Sequence, residues 1–413
     1  MSVNKIKTRV FIQEKFAEYY KTNSSSIQPP TQMENREFAF LMFKEKIMLR
    51  HKSFKNADDF RSLLKDVAPS DVYYSSAHYE RPEEEMEAKG WSGADLIFDI
   101  DADHIPTPCN KQHDTWTCSK CGTSGRRSPP EKCPQCGEQK FDDKTWPCEV
   151  CLASAREETM KLIDVLIRDF GLSSEEISVA FSGHRGYHVH VESEVIQALD
   201  QIARKEIVDY IVGVGLEPHL IGVEKGGGPN LDDAGWRGRI ARGTYEFLNT
   251  ATPAKLGEIG LKKNVVNALT GQREKVLESW RDRGPWKILK GVGSEGWKKI
   301  VQKAVEKQSV KIDTVVTTDI HRLIRLTDTL HGKTGLKKTS VSFSDIERFD
   351  PMKGAIAFKE GTITLTISEA PEFTLGDQTY GPYKGLQVEL PTAAALFLMC
   401  KGAARVMEEI VHV

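Results

Sequence analysis

An apolar strand with acids on one of its faces constrains this chain more than any other feature. Residues 95–104 read DLIFDIDADH. Successive strand residues point to opposite faces, so Asp99 and Asp101 share one face, Asp103 can join them, and Phe98 faces a core. Crowded carboxylates repel one another unless a cation lies between them, and hard divalent cations prefer such oxygen ligands. An edge strand with solvated acids is the alternative, but the apolar face favours a metal-binding rim.

The composition is that of a globular protein with room for one large domain or for two to three ordinary ones. The chain has 413 residues, of which 39% are hydrophobic and 28% are charged. Its longest apolar run, residues 393–400, is too short to span a bilayer, and its first residues lack the apolar core of a signal peptide. We therefore expect an intracellular protein with no membrane contact.

Charge is patterned along the chain. The net charge of -2 excludes a uniformly basic nucleic-acid coat protein. Residues 262–311, however, hold thirteen Lys and Arg against five Asp and Glu, with Trp280, Trp286 and Trp297 among them. Basic residues interleaved with aromatic ones are typical of a track for a polyanion. A solvated helical face explains the same count at least as well.

Seven of the eight cysteines fall within residues 109–151. In an intracellular chain, such a cluster indicates metal ligands rather than disulfides. Two CxxC pairs, separated by eleven residues and each followed by glycine, are typical of a zinc ribbon. The predicted ligands of this inner site are Cys118, Cys121, Cys133 and Cys136. Fe–S ligation is a minor alternative.

Four further ligand residues flank the ribbon: Cys109, His113, Cys148 and Cys151. Nested pairing closes the ribbon first and leaves the outer four as a Cys₃His site. Sequential pairing, with the first four ligands on one ion and the last four on another, is the rival, and spacing alone leaves both open. Four protein ligands per ion leave no open coordination position, so both arrangements predict structural zinc.

Periodicity and turn signals predict the order of the main elements. Predicted helices cover residues 6–22, 57–64 with Asn56 as N-cap, 150–170 and 392–411. Predicted strands cover residues 37–43, 47–54, 72–75, 177–181, 187–191, 355–358 and 362–367. Residues 196–310 are expected to be mostly helical and include a glycine loop at 226–228.

A turn rich in anion-binding groups joins two of these strands. It reads SGHRGYH over residues 182–188. Its two glycines let backbone amides approach an anion closely, and Arg185 offers a planar fork for phosphate oxygens. A hairpin turn with incidental polar residues is the alternative. Four phosphate-competent groups in seven residues favour anion binding.

A third stretch begins with an acid and ends in LHGKTG. We expect Asp313 to end a short strand and Thr318 to cap a helix that carries Arg322 and Arg325. The tripeptide GKT resembles the end of a P-loop, but Thr327 stands where that motif needs glycine, so a Walker A loop is excluded. A phosphate-binding loop of another kind stays open. For Asp313 alone, a capping or surface acid is the simpler explanation.

The motifs FDID, SGxRGxH and a later aspartate followed by LHGKTG occur together in one known family. With them, the chain resembles the small, catalytic subunit of archaeal and eukaryotic primases, and it is closer to the archaeal form. The resemblance runs over nearly the whole chain. It implies an α/β (α+β) class and the archaeo-eukaryotic primase fold, with an RRM-like mixed sheet core, a zinc-binding insertion and a helical subdomain.

The resemblance also implies domain bounds. The catalytic core would take its N-terminal part from residues 1–108, a middle part from 152–195 and its C-terminal part from 306–413. The zinc-binding insertion would cover residues 109–151 and the helical subdomain residues 196–305.

Each motif residue then has an implied role. Asp99, Asp101 and Asp313 match the acids that bind two catalytic Mg²⁺ or Mn²⁺ ions. The implied nucleotide-binding residues are Ser182, Gly183, His184, Arg185, His188, Arg325, His331 and Arg50, and His184 stands where some members have arginine. The family's zinc knuckle is a Cys, a His and then CxxC before a helix, which matches Cys109, His113, Cys148 and Cys151 and favours nested pairing.

The implied function is that of a DNA-dependent primase, a nucleotidyltransferase that makes short primers on single-stranded DNA by two-metal transfer from NTPs. Its implied partners are template and primer DNA, nucleoside triphosphates and a large primase subunit with an iron–sulfur cluster. Its implied location is the cytoplasm, at the nucleoid. A repair or translesion primase–polymerase, a non-catalytic zinc-ribbon nucleic-acid-binding protein and a metal-dependent nuclease are the alternatives.

Overall fold

The computed structural model describes residues 3–44, 47–109, 113–126, 129–217, 222, 228–282, 284–286 and 291–407. The chain divides into two compact units. The first comprises Met1–Thr159, Ser174–Arg204 and Ile312–Val413, and the second comprises Met160–Ser173 and Lys205–Lys311. The domain bounds implied by the resemblance stay a prediction.

Strands are concentrated in the first unit. In chain order they are β1 Phe38–Leu41, β2 Met48–Lys52, β3 Asp71–Ser75, β4 Ala77–Tyr79, β5 Trp91–Ala94, β6 Leu96–Asp101, β7 Thr115–Cys118, β8 Ser124–Arg126, β9 Phe141–Lys144, β10 Ile177–Phe181, β11 Gly186–Val191, β12 Leu323–Arg325, β13 Thr339–Val341, β14 Thr362–Ala370, β15 Phe373–Leu375, β16 Gln378–Tyr380, β17 Tyr383–Pro391 and β18 Ala404–Val406. The α/β (α+β) class is confirmed.

Helices occur in both units. Those that begin in the first unit are Val3–Asn23, Ala57–Val67, Glu149–Arg168, Glu194–Gln197, Gln201–Val212, Thr314–Thr318, Pro351–Gly354 and Thr392–Cys400. Those of the second unit are Gly235–Thr250, Pro253–Glu258, Lys263–Gly271, Arg273–Glu278 and Gly293–Gln308. No helix in the described ranges combines the length and the apolar character that a membrane crossing needs.

Two four-stranded sheets form the centre of the first unit. Their strand orders are β12-β3-β1-β2 and β13-β10-β11-β6, and every pairing in them is antiparallel. The β6–β11 register sets His188 opposite Asp99 and Gly186 opposite Asp101. On the other face of β6, Phe98 is fully buried, so this strand is anchored by a core and is not a solvated acidic edge.

Most of the predicted elements are confirmed. The N-terminal helix, the β1–β2 hairpin, β3 and the β10–β11 pair all form where the sequence predicts them. The Asn56 side chain accepts a hydrogen bond from the Asp59 amide, as expected of an N-cap. Residues 45–46 of the first hairpin and residues 226–227 of the predicted glycine loop lie outside the described residues.

Four local predictions are wrong. Residues 355–358 form no strand, and the last helix ends at Cys400 because the chain then turns into β18, which pairs with β14. Asp313 does not end a strand. Its carboxylate caps the helix Thr314–Thr318, and the residues beyond form β12 instead of a basic helix because they pair with β3.

The tryptophans of the basic segment belong to the core of the second unit. Trp280, Trp286 and Trp297 are 4%, 6% and 3% exposed, and they pack with apolar side chains of the surrounding helices. Side chains this buried cannot stack on a nucleic-acid base, so the aromatic part of the polyanion-track prediction is wrong.

Candidate active site

Three acids that are distant in sequence meet at the end of β6. Asp99 and Asp101 lie on the same face of the strand. The Asp313 amide donates to the Asp99 carbonyl at 2.9 Å. The Asp313 carboxylate accepts the Val315 amide at 3.0 Å, which fixes the side chain at the start of its helix. The three acids expected to bind metal are therefore neighbours.

Electrostatics at this cluster are unbalanced in favour of negative charge. Burial and the charges of Asp101 and Asp313 together raise the pKa of Asp99 to about 7, against a smaller opposite effect of Arg322. Burial also raises the pKa of Asp101. Carboxylates that repel one another in a buried place gain most from a divalent cation, so the donor set fits Mg²⁺ or Mn²⁺.

The acids open into a cavity of about 180 Å³ between the two sheets. Residues from β3, β6, β11, β12 and the loops beside them line it: Tyr73, Asp99, Asp101, Ser182, His184, His188, Val316, Arg322, Leu323, Ile324, Arg325 and His331. Asp99 and Asp101 therefore share this cavity with hydroxyl, imidazole and guanidinium groups. A ligand that joins metal-bound oxygens to further anionic groups matches this combination.

The loop of residues 182–188 is tied closely to the LHGKTG loop. The Ser182 hydroxyl accepts the amides of His184 and Gly186, each at 3.3 Å, which holds a tight turn. Gly183 has a φ of +88°, and a Cβ there would lie 3.0 Å from the His331 Cβ. Thr334 donates its hydroxyl hydrogen to the Gly183 carbonyl at 2.6 Å. Only glycine allows the two loops to pack this closely.

Three buried histidines face the cavity as neutral groups. Burial lowers the pKa of His184, His188 and His331 well below the ordinary value, and nearby cations lower it further. The rings of His184 and His331 stack at 5.3 Å between centroids. Nε2 of His188 lies 3.7 Å from Oδ1 of Asp99, so this imidazole lies beside the acid cluster.

Arg325 lies on a strand, not on a helix. It pairs with the buried Asp71, and its other guanidinium nitrogen donates to the Tyr73 hydroxyl at 3.3 Å. Arg322 directly precedes β12 and Arg325 ends it, and both line the cavity, so the helical spacing placed them together for the wrong reason.

Two predicted nucleotide-binding arginines are outside the set of cavity-lining residues. Arg185 is fully buried and pairs with Asp103 and with Asp114. Asp103 therefore faces Arg185 and does not join Asp99 and Asp101. Arg50 donates to the Glu37 carboxylate at 2.9 Å.

The eight cysteine and histidine ligands form two groups by nested pairing. Within each group, one ligand atom per residue lies within 4.8 Å of the others: Cys109, His113, Cys148 and Cys151 in the outer site, and Cys118, Cys121, Cys133 and Cys136 in the inner site. Sulfur–sulfur distances of 3.3 to 3.6 Å are too long for a disulfide. They match two sulfurs on one ion at about 2.3 Å each, so both sites fit structural zinc.

Several residues near the site carried little or no signal in the sequence. Tyr73, Lys338 and Lys401 come from strands or loops whose approach depends on the tertiary fold. Lys401 lies 2.7 Å from Nε2 of His184, and Lys338 donates to the Arg325 carbonyl at 2.7 Å. Asp114 carried one signal, an acid directly after the ligand His113, which is typical of a partner that orients a metal-bound imidazole.

Acids that fit divalent cations, opposite a loop of anion-binding groups, define the site of a metal-dependent enzyme of phosphoryl or nucleotidyl transfer. The family model described as DNA primase small subunit matches residues 139–343. The chain is 36% identical to the DNA primase small subunit PriS of Archaeoglobus fulgidus, over 96% of this chain and 98% of that protein.

Other relatives agree over nearly the whole length. Identity is 34% with the DNA primase small subunit PriS of Methanococcoides burtonii, over 97% of this chain and 98% of that protein. It is 33% with the PriS of Cenarchaeum symbiosum, over 96% and 98% respectively. The chain belongs to the DNA primase small subunit family, which confirms the resemblance, and it is an enzyme of the nucleotidyltransferase type.

Proposed function

We propose that this protein is the catalytic subunit of a DNA-dependent primase that makes short primers on single-stranded DNA from NTPs. The observation that carries this proposal is the meeting of Asp99, Asp101 and Asp313 beside a cavity that Asp99 and Asp101 line together with anion-binding groups. A nuclease needs the acids but not such a lining, because hydrolysis of a chain involves no triphosphate.

Asp99, Asp101 and Asp313 would hold two Mg²⁺ or Mn²⁺ ions. When bound, such ions lower the pKa of a primer 3′-hydroxyl and stabilise the charge on the pyrophosphate leaving group. The half-buried position of Asp99 and its two acidic neighbours support this assignment.

The remaining residues would bind and orient the nucleotide. His184, His188 and His331 are neutral, so each imidazole donates one N–H and accepts at its other nitrogen. Arg325 supplies a fixed positive charge, already held in place by Asp71 and Tyr73. Ser182 and Gly183 shape the turn that brings backbone amides to the same place. Preorganised donors of this kind stabilise charge that develops on the β- and γ-phosphates.

The partners belong to the proposal as well. We propose a heterodimer with a large primase subunit, a single-stranded DNA template and an intracellular location, as the family membership implies. The basic residues of the second unit would contribute to DNA affinity through phosphate contacts, so binding should weaken steeply with salt.

Primer synthesis on an unprimed single-stranded template tests the proposal. The purified chain, with its large subunit, receives NTPs and Mg²⁺ or Mn²⁺, and products are resolved by length. The Asp99→Ala/Asp101→Ala variant should make no product, whereas Asp143→Ala, which changes an exposed acid of β9, should match the wild type.

Three results would contradict parts of this scheme. Unchanged synthesis in the double variant would end the assignment of the acids. DNA binding without synthesis in the wild type would favour a non-catalytic zinc-ribbon protein. Extension of a supplied primer without synthesis on unprimed template would favour a repair or translesion polymerase.

A further inference from the structure

One buried acid lies between the outer zinc ligands and the nucleotide loop. Asp114 is 1% exposed and directly follows the ligand His113. Its Oδ1 lies 2.7 Å from Nδ1 of His113. The same carboxylate accepts both hydrogen bonds of Arg185 Nη1, at 3.0 and 2.9 Å. The Trp146 amide, 3.3 Å away, also donates to it.

These contacts orient the imidazole for metal binding. Nε2 of His113 lies 3.5 Å from the sulfur of Cys151, so Nε2 is the nitrogen that faces the other ligands. Nδ1 then carries the hydrogen and donates it to Asp114. A carboxylate in this position fixes both the tautomer and the ring angle of a ligand histidine.

Arg185 depends on Asp114 for its position. Its guanidinium is completely buried, with carboxylates of Asp114 and Asp103 as its partners. It belongs to the turn whose neighbours Ser182, His184 and His188 line the cavity. A buried cation that loses a carboxylate must move or lose its charge, and the turn that carries it would move too.

A second contact connects the same two places. Ala102 directly follows Asp101, and it packs against the outer ligands Cys109 and Cys151. Its amide donates to the Arg185 carbonyl at 3.4 Å. The outer zinc site thus touches both the acidic strand and the nucleotide loop.

The inner zinc site differs in this respect. Among the described residues, its cysteines contact one another, Thr123 and the aromatic side chains Trp116 and Phe141, all of which belong to the ribbon. In the described part of the chain, no contact joins these cysteines to Asp114, Arg185 or a cavity-lining side chain, so the inner site serves as a control within the same molecule.

We propose that Asp114 is a positioning residue that makes nucleotide binding depend on zinc at the outer site and not at the inner one. The inference rests on the proposed function of the 182–188 loop. Zinc holds His113, His113 holds Asp114, and Asp114 holds the Arg185 guanidinium behind the loop. Loss of the outer zinc would break this series of contacts and weaken nucleotide affinity.

The first test compares Asp114→Asn with Asp143→Asn, an exposed acid on β9 of the same insertion. The full chain is assayed for zinc content, NTP affinity by equilibrium dialysis, and primer-extension KM and kcat. Asp114→Asn should raise the NTP dissociation constant and KM by about 10- to 100-fold and weaken zinc retention, with a smaller effect on kcat. Asp143→Asn should change none of these. Wild-type NTP affinity in a folded Asp114→Asn variant would overturn the proposal.

The second test keeps Asp114 intact and so does not depend on the folding of its variant. Cys118→Ser/Cys133→Ser removes the inner site and should leave NTP affinity unchanged. A chelator then strips the outer zinc from this variant while NTP affinity is followed. Affinity should fall in step with zinc release and return when zinc is restored. Affinity that is lost with the inner zinc, or that survives loss of the outer zinc, contradicts the proposal.

These measurements separate the inference from the function on which it rests. Equilibrium dialysis of NTP requires no primer synthesis. If the wild type binds NTP but makes no primer, only the proposed function is contradicted. If the wild type makes primers and the Asp114→Asn variant has an unchanged KM, only the inference about Asp114 is contradicted.

Discussion

Two aspartates four residues apart, Asp95 buried and Asp99 half-buried, have opposite surroundings in this fold. Asp95 accepts hydrogen bonds from Arg36 at 2.5 Å and Gln197 at 2.7 Å, and two imidazoles lie beside it. Hydrogen bonds from His190 and His78, together with the charge of Arg36, hold its pKa well below the usual range, despite complete burial of the side chain. Asp99 has acids as its neighbours, and its pKa is raised to about 7.

The contrast distinguishes an acid whose negative charge is stabilised by protein groups from an acid whose charge is left to be stabilised by a ligand. A buried carboxylate is costly unless it is paired, and Asp95 is paired on both oxygens. At Asp99, protein groups do not offset the free-energy cost of the charged carboxylate, and such an acid is a signature of a functional site. We infer that Asp95 anchors the beginning of β6 and that Asp99 uses the rigidity this gives.

The largest expected effect is on activity, at Asp99. Asp99→Asn removes a metal-binding charge, and primer synthesis should fall by at least about 10³-fold, because the lost ions supply several kcal/mol of charge stabilisation. The metal-free variant should nevertheless be at least as stable as the wild type, since the change relieves repulsion. Rates and thermal unfolding in EDTA measure both. An Asp99→Asn variant that is inactive because it is unfolded would contradict this distinction between Asp99 and Asp95.

The next effect is on stability, at Asp95. Asp95→Asn keeps the shape but removes the charge and points an amide group at existing donors, which leaves Arg36 buried without its carboxylate. The free energy of unfolding should fall by about 3–5 kcal/mol. Urea unfolding of the metal-free protein measures it, with Asp99→Asn as the matched control. Equal destabilisation in the two variants would show that the two acids do not differ.

The local sequence pattern was enough to predict the Asp99 side of this comparison. Alternation along β6 places Asp99 and Asp101 on one face because a strand has a period of two, and this needs no tertiary information. The CxxC spacing and the Asn56 cap are local in the same sense. The family motifs then supplied Asp313, whose own surroundings in sequence indicated no more than a capping acid.

The other half depended on contacts between distant segments. The partners of Asp95 come from residues 36, 78, 190 and 197, and no spacing along the chain brings them together. Arg185 likewise looked like a phosphate ligand, whereas the fold buries it against Asp103 and Asp114. The spacing of Arg322 and Arg325 suits one face of a helix, whereas residues 323–325 pair with β3 as a strand.

A smaller effect concerns pH. The folded pKa of Asp99, about 7, lies above its unfolded value near 3.8. Between these values the folded state binds a proton that the unfolded state does not, so metal-free stability should fall as pH rises from about 4 to about 7. The decrease should be on the order of a few kcal/mol and should be reduced in Asp99→Asn. Thermal unfolding across this pH range in EDTA measures it. A wild-type pH profile identical to that of Asp99→Asn would contradict the raised pKa.

The smallest expected effect is at a single partner of Asp95. Nε2 of His190 lies 2.9 Å from Oδ2 of Asp95, but Arg36 reaches the same oxygen. His190→Phe keeps a planar ring and removes one of the surrounding donors, so Asp95 stays satisfied by the rest. The free energy of unfolding should fall by about 1–2 kcal/mol, clearly less than for Asp95→Asn, because the hydrogen bond to Asp95 and a longer one of 3.4 Å to the Tyr74 hydroxyl are lost while the charge pair is kept. Urea unfolding of both variants and of the double variant measures this.

Since His190 acts mainly through Asp95, the effect of His190→Phe should largely disappear when Asp95 is already Asn. Full additivity of the two free-energy changes would mean that His190 stabilises the fold through contacts other than the one with Asp95. Fewer groups than the contacts indicate would then stabilise the charge of Asp95.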